Sequence, residues 1–180
     1  MAKVIKPVAG QYFEDVSQSL QQSQWSSVLN PAIAGVNQLA HPNIGISDRI
    51  ASFSTTSTVN VLVTGASVKI RGRGIAISVF LQPAPLQTSS GLTVTNAGGA
   101  TVGIYTLLKY SLSDTTAKTL GVFQIGAGVV ASTTMPSSVI HMMDLNIGED
   151  TYFYQLQLRV SGGTTPSASV TNVNLIAREG

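Results

Sequence analysis

The sequence predicts an all-β fold: an antiparallel sandwich or barrel of about eight strands, preceded by a helical N-terminal arm. Residues 54–177 contain short runs in which apolar and polar residues alternate, which is the period of a strand with one buried face. Turn-forming Gly, Pro, Ser and Thr separate these runs. The chain has no Cys and only 10% of its residues are charged. We therefore expect a core held by apolar burial, without disulfides.

The first 50 residues follow another pattern. Between Gln11 and Leu29, apolar residues recur at spacings of three and four, which predicts a helix with one apolar face. Asn30-Pro31 ends it, because proline cannot continue the hydrogen-bond ladder of a helix. Residues 31–48 show no periodicity and predict an extended linker. We expect an arm over residues 1–50 and a β-rich domain over residues 51–180; a helix packed on its own domain is the alternative.

Strands are predicted wherever the period becomes two. The segment Thr151–Val160 alternates most regularly, and Pro83-Ala-Pro85 closes the strand before it in a long uncharged stretch. Residues 87–100, rich in Ser, Thr and Gly, predict a loop. The predicted strands are Ser57–Val63, Val68–Arg71, Gly74–Gln82, Thr101–Ser111, Thr119–Ile125, Val139–Met143, Thr151–Val160 and Ser169–Ala177.

The scarcity of charge argues against catalysis and nucleic-acid binding. No Asp, Glu, Lys or Arg occurs from Gly74 to Leu108, whereas enzymes need neighbouring titratable groups and nucleic-acid binders need clustered cations. The one dense cationic spot, Arg71-Gly-Arg73, predicts a tight turn with solvated arginines rather than a phosphate site. We therefore expect no catalytic residue, no cofactor and no nucleic-acid partner.

Two motifs resemble functional sites, but the sequence around each of them favours a purely structural interpretation. Gly126-Ala-Gly-Val-Val-Ala131 matches a dinucleotide fingerprint, but Ser132 to Pro136 is β-branched and ends in proline, where that site needs a helix. A glycine loop is the better interpretation. Residues three apart on a strand point to opposite faces, so Asp144 cannot orient His141 toward Ser137 or Ser138 in a triad.

Metal binding is equally unsupported by the sequence. The two histidines, His41 and His141, stand 100 positions apart by their numbering and form no ligand pair. Glu149-Asp150 offers two adjacent acids without further oxygen donors, so we interpret it as the polar start of a strand rather than a calcium site.

The same low charge indicates self-association. A net charge of +2 over 180 residues leaves little repulsion between molecules, and we expect an obligate oligomer with large buried faces. The N-terminus carries two lysines without the apolar run of a signal peptide, and no apolar stretch is long enough to span a membrane. We expect synthesis in the cytoplasm and no membrane insertion.

Two regions resemble the C-terminal jelly-roll domains of bacteriophage fibre and appendage proteins. The first is a strand, a glycine turn and an apolar return strand over Val68–Pro83. The second has Pro136-Ser-Ser-Val139, then Asp144, then Gly148–Tyr154, and a last strand over Val170–Glu179. The two regions are Ala66–Pro83 and Met135–Glu179, and the resemblance spans roughly the last 115 residues of the chain.

This resemblance implies a jelly roll like those of TNF and C1q, which trimerises about a three-fold axis and is displayed on virions. It implies a non-enzymatic structural protein, such as a head fibre, short spike or capsid cement, that contacts other capsid or tail proteins. As the oligomer interface we expect Tyr152, Phe153 and Tyr154. As the residues that anchor the arm to the particle we expect Tyr12, Phe13, Val16, Leu20 and Trp25.

Host adsorption is the alternative function. A receptor- or glycan-binding fibre tip would place recognition in the loops at residues 87–100 and Ser161–Pro166. Neither loop contains an aromatic residue, and sugar sites usually stack a ring on one while polar groups hold the hydroxyls. The sequence therefore favours the structural role.

Overall fold

The computed structural model describes residues 3–5, 13–15, 43–128 and 131–180. Almost all of the regular structure in these residues is extended, with one 3₁₀ helix at Ser137–Val139. The strands are β1 Lys3–Ile5, β2 Phe13–Asp15, β3 Ile44–Ile46, β4 Ile50–Thr55, β5 Val61–Arg73, β6 Ile77–Pro83, β7 Gly91–Thr95, β8 Gly98–Ser111, β9 Lys118–Ala127, β10 Ser132–Met135, β11 His141–Asp144, β12 Glu149–Thr164 and β13 Ser167–Glu179.

Residues 43–180 form a sandwich of two antiparallel sheets. Sheet II has the strand order β5-β12-β8-β9. In sheet I, β13 is central: β3 and β4 pair along one side of it, and β6 and β7 pair with successive halves of its other side. The short strands β11 and β10 then pair with β6 and β7.

Counting β3–β4, β6–β7 and β10–β11 as one position each, the described domain has eight strand positions. Numbered along the chain, they run 1-8-3-6 in sheet I and 2-7-4-5 in sheet II. Only the link from β8 to β9 stays within one sheet; every other link between positions crosses to the opposite sheet. This is the connectivity of a jelly roll, and it confirms the predicted fold class.

Period-two alternation builds the core between the sheets. On β12, Tyr154, Leu156 and Leu158 are buried while the residues between them are half-buried on the opposite face. The sheets approach closely at Gly103, where a Cβ atom would lie 2.5 Å from Val94 Cγ2. The core includes Val63, Val68, Ile77, Val79, Leu81, Leu92, Val94, Tyr105, Leu107, Val160, Val170, Val173 and Leu175.

The partner of β13 changes from β7 to β6 at Asn172, where φ is +50°. The Asn172 carbonyl accepts a hydrogen bond from the Ala84 amide at 2.8 Å, and its side-chain amide donates to the Ser89 carbonyl at 2.8 Å. These bonds hold the excursion at residues 84–90 that separates β6 from β7. The proline-rich closure predicted after Gln82 is confirmed, since β6 ends at Pro83.

Several boundaries differ from those predicted. The two segments Ser57–Val63 and Val68–Arg71 belong to one strand, β5, and the predicted loop at residues 87–100 contains β7 and the start of β8. On β7, Leu92 and Val94 are fully buried. Leu92 and Val94 alternate with Thr in the sequence, as in a strand. The Ser and Gly residues around them nevertheless favoured the prediction of a loop.

The arm differs from its prediction where it is described. Phe13–Asp15 is a strand, β2, paired antiparallel with β1, and not part of a helix, because its backbone bonds to Lys3–Ile5. The remainder of the predicted helix lies outside the described residues. The chain divides into two compact units, 1–42 and 43–180, and β3 pairs with β13 although it precedes the predicted boundary at residue 50.

Burial of alternate residues on β12 gives a test of the core. We expect Leu156→Ala to lower the free energy of unfolding by about 2–5 kcal/mol, because it leaves a cavity at a fully buried site. Its neighbour Gln157→Ala should change stability by no more than about 0.5 kcal/mol. Urea unfolding followed by circular dichroism measures both; equal losses would contradict this assignment of the two faces.

Candidate assembly surface

The outer face of sheet II is the broadest surface of mixed aromatic and aliphatic side chains in the described domain. The cross-strand register sets Lys69, Phe153 and Tyr110 in one row, because directly opposed residues share a face. Parallel rows continue along the sheet. We call this surface the Phe153 face; its members are Leu62, Ser67, Lys69, Ile104, Thr106, Leu108, Tyr110, Val122, Gln124, Phe153, Gln155, Gln157 and Arg159.

Phe153 and Tyr110 lie in the row at one end of this face, with Phe153 between Tyr110 and Lys69. Their rings stack with centroids 4.9 Å apart and planes 7° from parallel. The ammonium of Lys69 lies 5.8 Å from the Phe153 ring centroid, and Gln155 Nε2 donates to the Tyr110 hydroxyl at 3.2 Å. These contacts hold large, half-buried rings in place, which lowers the entropy lost when a second protein packs on them.

The Phe153 face carries little charge. Its members include two cations, Lys69 and Arg159, and no acid. The charged residues Arg71 and Glu149 lie beyond its end on the same side of the sheet. Leu62 and Val122 remain 44% and 50% exposed. Charged residues are depleted at the centre of protein interfaces and aromatic residues are enriched, so the composition of this face suits contact with another subunit.

The structure separates the three residues predicted for the oligomer interface. Phe153 lies on the outer face, but Tyr154 is fully buried and Tyr152 is 7% exposed, both within the domain's own core. The physical reason is the strand period, which turns adjacent side chains to opposite sides of the sheet. Of the three residues, Phe153 alone has its side chain on an outer face of the sandwich, and the interface itself stays a prediction.

Sheet I carries a smaller apolar patch on its outer side. The register aligns Ile46, Ile176, Phe80 and His141 across four strands. Ile46 is 62% exposed, and the His141 ring meets Phe80 edge-on, with centroids 5.5 Å apart. Both sheets of the sandwich thus have apolar groups facing outward as well as inward.

A buried ionic cluster lies where β11 leads into β12. Asp144 Oδ2 is 2.7 Å from Lys109 Nζ and accepts a hydrogen bond from the Tyr154 hydroxyl at 2.9 Å. Lys109 also donates to the Asn146 carbonyl at 2.8 Å and lies 4.8 Å from the Tyr152 ring centroid. Burial, and then the adjacent Asp144 charge, raise the pKa of Tyr154 far above its ordinary value.

This cluster is structural in character. Asp144 ends β11 of sheet I, whereas Lys109 and Tyr154 belong to sheet II, so the ion pair and hydrogen bond tie the two sheets together. Every polar group of the cluster already has a partner.

The residues considered for a triad are dispersed, as predicted. Asp144 points into the domain while His141 lies exposed on the outer side of sheet I. Ser137 is buried in the 3₁₀ helix, and its hydroxyl has no hydrogen-bond partner within the described residues. Among those residues, no group of three or more His, Cys, Asp or Glu side chains is placed to hold a metal ion.

The two arginines of the cationic spot behave differently. Arg71 is exposed near the end of β5, as predicted. Arg73 is not simply solvated, because its Nε lies 3.0 Å from Glu179 Oε2, and its backbone amide donates to Glu179 Oε1 at 2.6 Å. Glu179 is itself buried, so this pair fixes the end of β13 to the turn after β5. A partner 106 positions away could not be read from local sequence.

The glycine motif is followed by a strand and not by a helix. Gly126 and Ala127 belong to β9, and β10 begins at Ser132. A dinucleotide site needs a helix N-terminus at this point to meet the pyrophosphate. The described residues on both sides of the motif therefore lack that arrangement.

Asp150 organises the β8–β9 turn, at the start of β12 as predicted. Its Oδ2 accepts hydrogen bonds from the Ser113 hydroxyl and amide, and its Oδ1 accepts one from the Thr151 amide at 2.6 Å. The Ser113 hydroxyl, followed by that of Ser111, lowers the pKa of Asp150 to about 2. An open cleft of about 180 Å³ lies beside this turn, lined by Lys109, Tyr110, Ser111, Asp114, Thr116, Lys118, Asn146 and Tyr152.

Comparison with known proteins finds no matching family model and no matching curated protein. Among solved structures, the chain is similar to chains in the structures of two strains of infectious bursal disease virus. For the Gt strain the TM-score is 0.30 at 15% identity, covering 77% of this chain and 38% of that one. For the Gx strain it is 0.33 at 13% identity, covering 99% and 42%. The chain thus spans about two fifths of the length of these viral chains.

No helix among the described residues is long and apolar enough to cross a membrane.

Breaking the buried cluster should destabilise the domain strongly. We expect Asp144→Asn to lower the free energy of unfolding by about 3–5 kcal/mol, because it leaves the Lys109 ammonium largely buried without its counter-ion. Tyr154→Phe removes one hydrogen bond to a charged group and should lower it by about 1.5–3 kcal/mol.

Lys118→Met is the matched control for that experiment, since it removes an ammonium from an exposed ion pair with Asp114. We expect it to leave stability nearly unchanged. Denaturant unfolding at neutral pH measures all three variants. If Asp144→Asn lowers the free energy of unfolding no more than the control does, the Asp144–Lys109 ion pair does not hold the two sheets together.

The lowered pKa of Asp150 predicts a pH dependence. A carboxyl whose folded pKa is depressed stabilises the fold above its unfolded pKa, here 3.8, and this stabilisation is lost as the pH falls through its folded value of about 2. We expect Asp150→Asn to flatten the fall in unfolding free energy over that range. Urea unfolding between those pH values, with Asp48→Asn as control, measures it; parallel curves for parent and Asp150→Asn would refute the assignment.

Proposed function

We propose that this protein is a non-enzymatic virion structural protein, a trimeric jelly roll on the particle surface that is attached through its N-terminal arm. The observation that carries the proposal is the Phe153 face: a nearly uncharged outer sheet face, with stacked rings, on a domain of the jelly-roll topology. Apolar and aromatic side chains held on an outer face favour contact with another subunit.

The chain's charge supports the same role. With a net charge of +2 and few ionic groups, isolated molecules repel one another weakly and burial of large faces is favoured. The ionic groups of Asp144, Lys109, Arg73 and Glu179 are used inside the domain to join its strands. The side chains that remain on the Phe153 face are mostly uncharged, and they favour contact with another subunit.

Attachment through residues 1–42 completes the proposal. Tyr12, Phe13, Val16, Leu20 and Trp25 supply the apolar groups that the arm would bury in a capsid or tail protein. Phe13 lies in β2; the other four lie outside the described residues. Head fibre, short spike and capsid cement are the forms that this arrangement would take, on a bacteriophage as the sequence resemblance implies.

Receptor or glycan binding is the second candidate, and the polar cleft beside the β8–β9 turn favours it. The cleft combines hydroxyl, amide, carboxylate and ammonium groups with Tyr110 and Tyr152, which are the group types that hold sugar hydroxyls. Its position differs from the predicted recognition loops at residues 87–100 and 161–166. Binding of a glycan panel that is lost in Asn146→Ala would support this candidate over a purely structural one.

The trimer is tested by absolute mass in solution. Light scattering of the full chain should give three times the 18.7 kDa mass of one chain, or a multiple of that value where trimers associate further. Phe153→Lys should dissociate the trimer, because it would bury an unpaired charge. The matched control is Val59→Lys, which introduces the same charge at an exposed valine in the β4–β5 loop. A trimer that survives Phe153→Lys would refute the role of this face.

The virion role has its own test. Mass spectrometry of purified particles should find the chain in stoichiometric amounts, and Leu20→Ser with Trp25→Ser should reduce its incorporation while leaving the trimer intact. Unchanged incorporation would refute anchoring through the arm. Absence of the chain from particles would refute the virion role itself.

A further inference from the structure

β9 forms one outer edge of sheet II, where β8 is its one strand partner among the described residues. An edge strand presents N–H and C=O groups that no neighbouring strand satisfies, so natural proteins shield their edges with charges, prolines, bulges or short strands. The shielding of each edge therefore indicates which one is available to another chain.

The other three edges of the sandwich are shielded. On β5, Lys69 and Arg71 are exposed, and the Arg71 carbonyl accepts a hydrogen bond from Asn43 Nδ2 at 2.7 Å. The β3–β4 edge is broken at residues 47–49, where an Asp and an Arg are exposed. The opposite edge of sheet I consists of two four-residue strands separated by Pro136 and the 3₁₀ helix.

β9 lacks this shielding over the segment Gly121–Ala127. Its pairing with β8 is unbroken from Gly121 to Ala127, and the one irregularity, at Leu120, precedes it. The segment contains no charged residue and no proline. Val122, Gln124 and Gly126 face outward and are exposed. Val122, Phe123 and Ile125 are of types enriched in strands, and an uncharged edge without proline leaves its backbone groups open to a further strand.

We propose that Gly121–Ala127 pairs with the same segment of a second copy of this chain, antiparallel and centred on Gln124. This pairing would join two four-stranded sheets into one of eight strands. An antiparallel pair of identical strands has two-fold symmetry and closes as a dimer. Both outer faces lie on the same side of the joined sheet when the two-fold axis passes through a residue rather than between two residues, and Gln124 is the middle residue of the segment.

The side chains fit this register. Val122 of each copy would lie opposite Gly126 of the other, where a Cβ added to Gly126 meets nothing closer than 4.0 Å. Lys118, the one charge on β9, lies outside the paired segment and is 2.7 Å from Asp114 Oδ2. In an antiparallel pair centred on Gln124, the two Lys118 residues are roughly 40 Å apart along the joined strands, so they do not repel each other.

Single-cysteine cross-linking tests the pairing, because the chain has no cysteine of its own. In Gln124→Cys, the two thiols would face each other across the joined strands, at an effective concentration on the order of millimolar. At about 10 μM protein, we expect mild oxidation to give disulfide dimers about a hundredfold faster than by chance encounter. Gln82→Cys is the matched control: an exposed glutamine on β6, which lies within sheet I rather than at its edge.

Amide exchange distinguishes edge pairing from contact through the Phe153 face, on which Gln124 also lies. Edge pairing should slow exchange of alternate backbone amides in Gly121–Ala127 as protein concentration rises, and Phe153→Lys should leave both this protection and the cross-link intact. Equal cross-linking of Gln124→Cys and Gln82→Cys would overturn the proposal. So would rapid cross-linking without amide protection, which would instead assign the contact to the Phe153 face; loss of the trimer alone leaves edge pairing standing.

Discussion

The packing of the inward faces of β12 and β13, the long strands inside the two sheets, is the interaction on which the rest of this structure depends. Each contributes a row of fully buried apolar side chains, including Leu156 and Leu158 on β12 and Val173 and Leu175 on β13. Every other strand of the domain pairs with one of these two or with a strand next to it. Burial of these rows fixes which side of each sheet faces out, and hence which residues a partner can meet.

Polar contacts refine this core at its margins. Asp144, Lys109 and Tyr154 join the sheets where β11 leads into β12, and Arg73 with Glu179 closes the end of β13. The Tyr105 hydroxyl donates across the sandwich to the Ser169 carbonyl at 3.1 Å. Buried ionic groups add less net stability than apolar residues of the same shape, but they are costly to leave unpaired. They therefore specify one alignment of the two sheets.

Assembly follows from what the core leaves outside. The Phe153 face offers aromatic side chains already held in place, and the edge at Gly121–Ala127 offers backbone groups. The first suits a three-fold contact and the second a two-fold one, and copies linked by both kinds of symmetry could cover an extended surface. A chain with so few charges meets little electrostatic resistance to either contact.

The sequence by itself determined the all-β class and the two faces of β12, because strand period and burial are local properties. It predicted Phe153, Tyr152 and Tyr154 as one interface without separating them, although their alternation was available. Only the tertiary structure decided the rest. It turned Tyr105 and Leu107 of β8 inward and Ile104 and Thr106 outward, recruited β3 and β7 to the sheets, and brought Arg73 to Glu179. These depend on strand register between distant segments, which a local pattern does not contain.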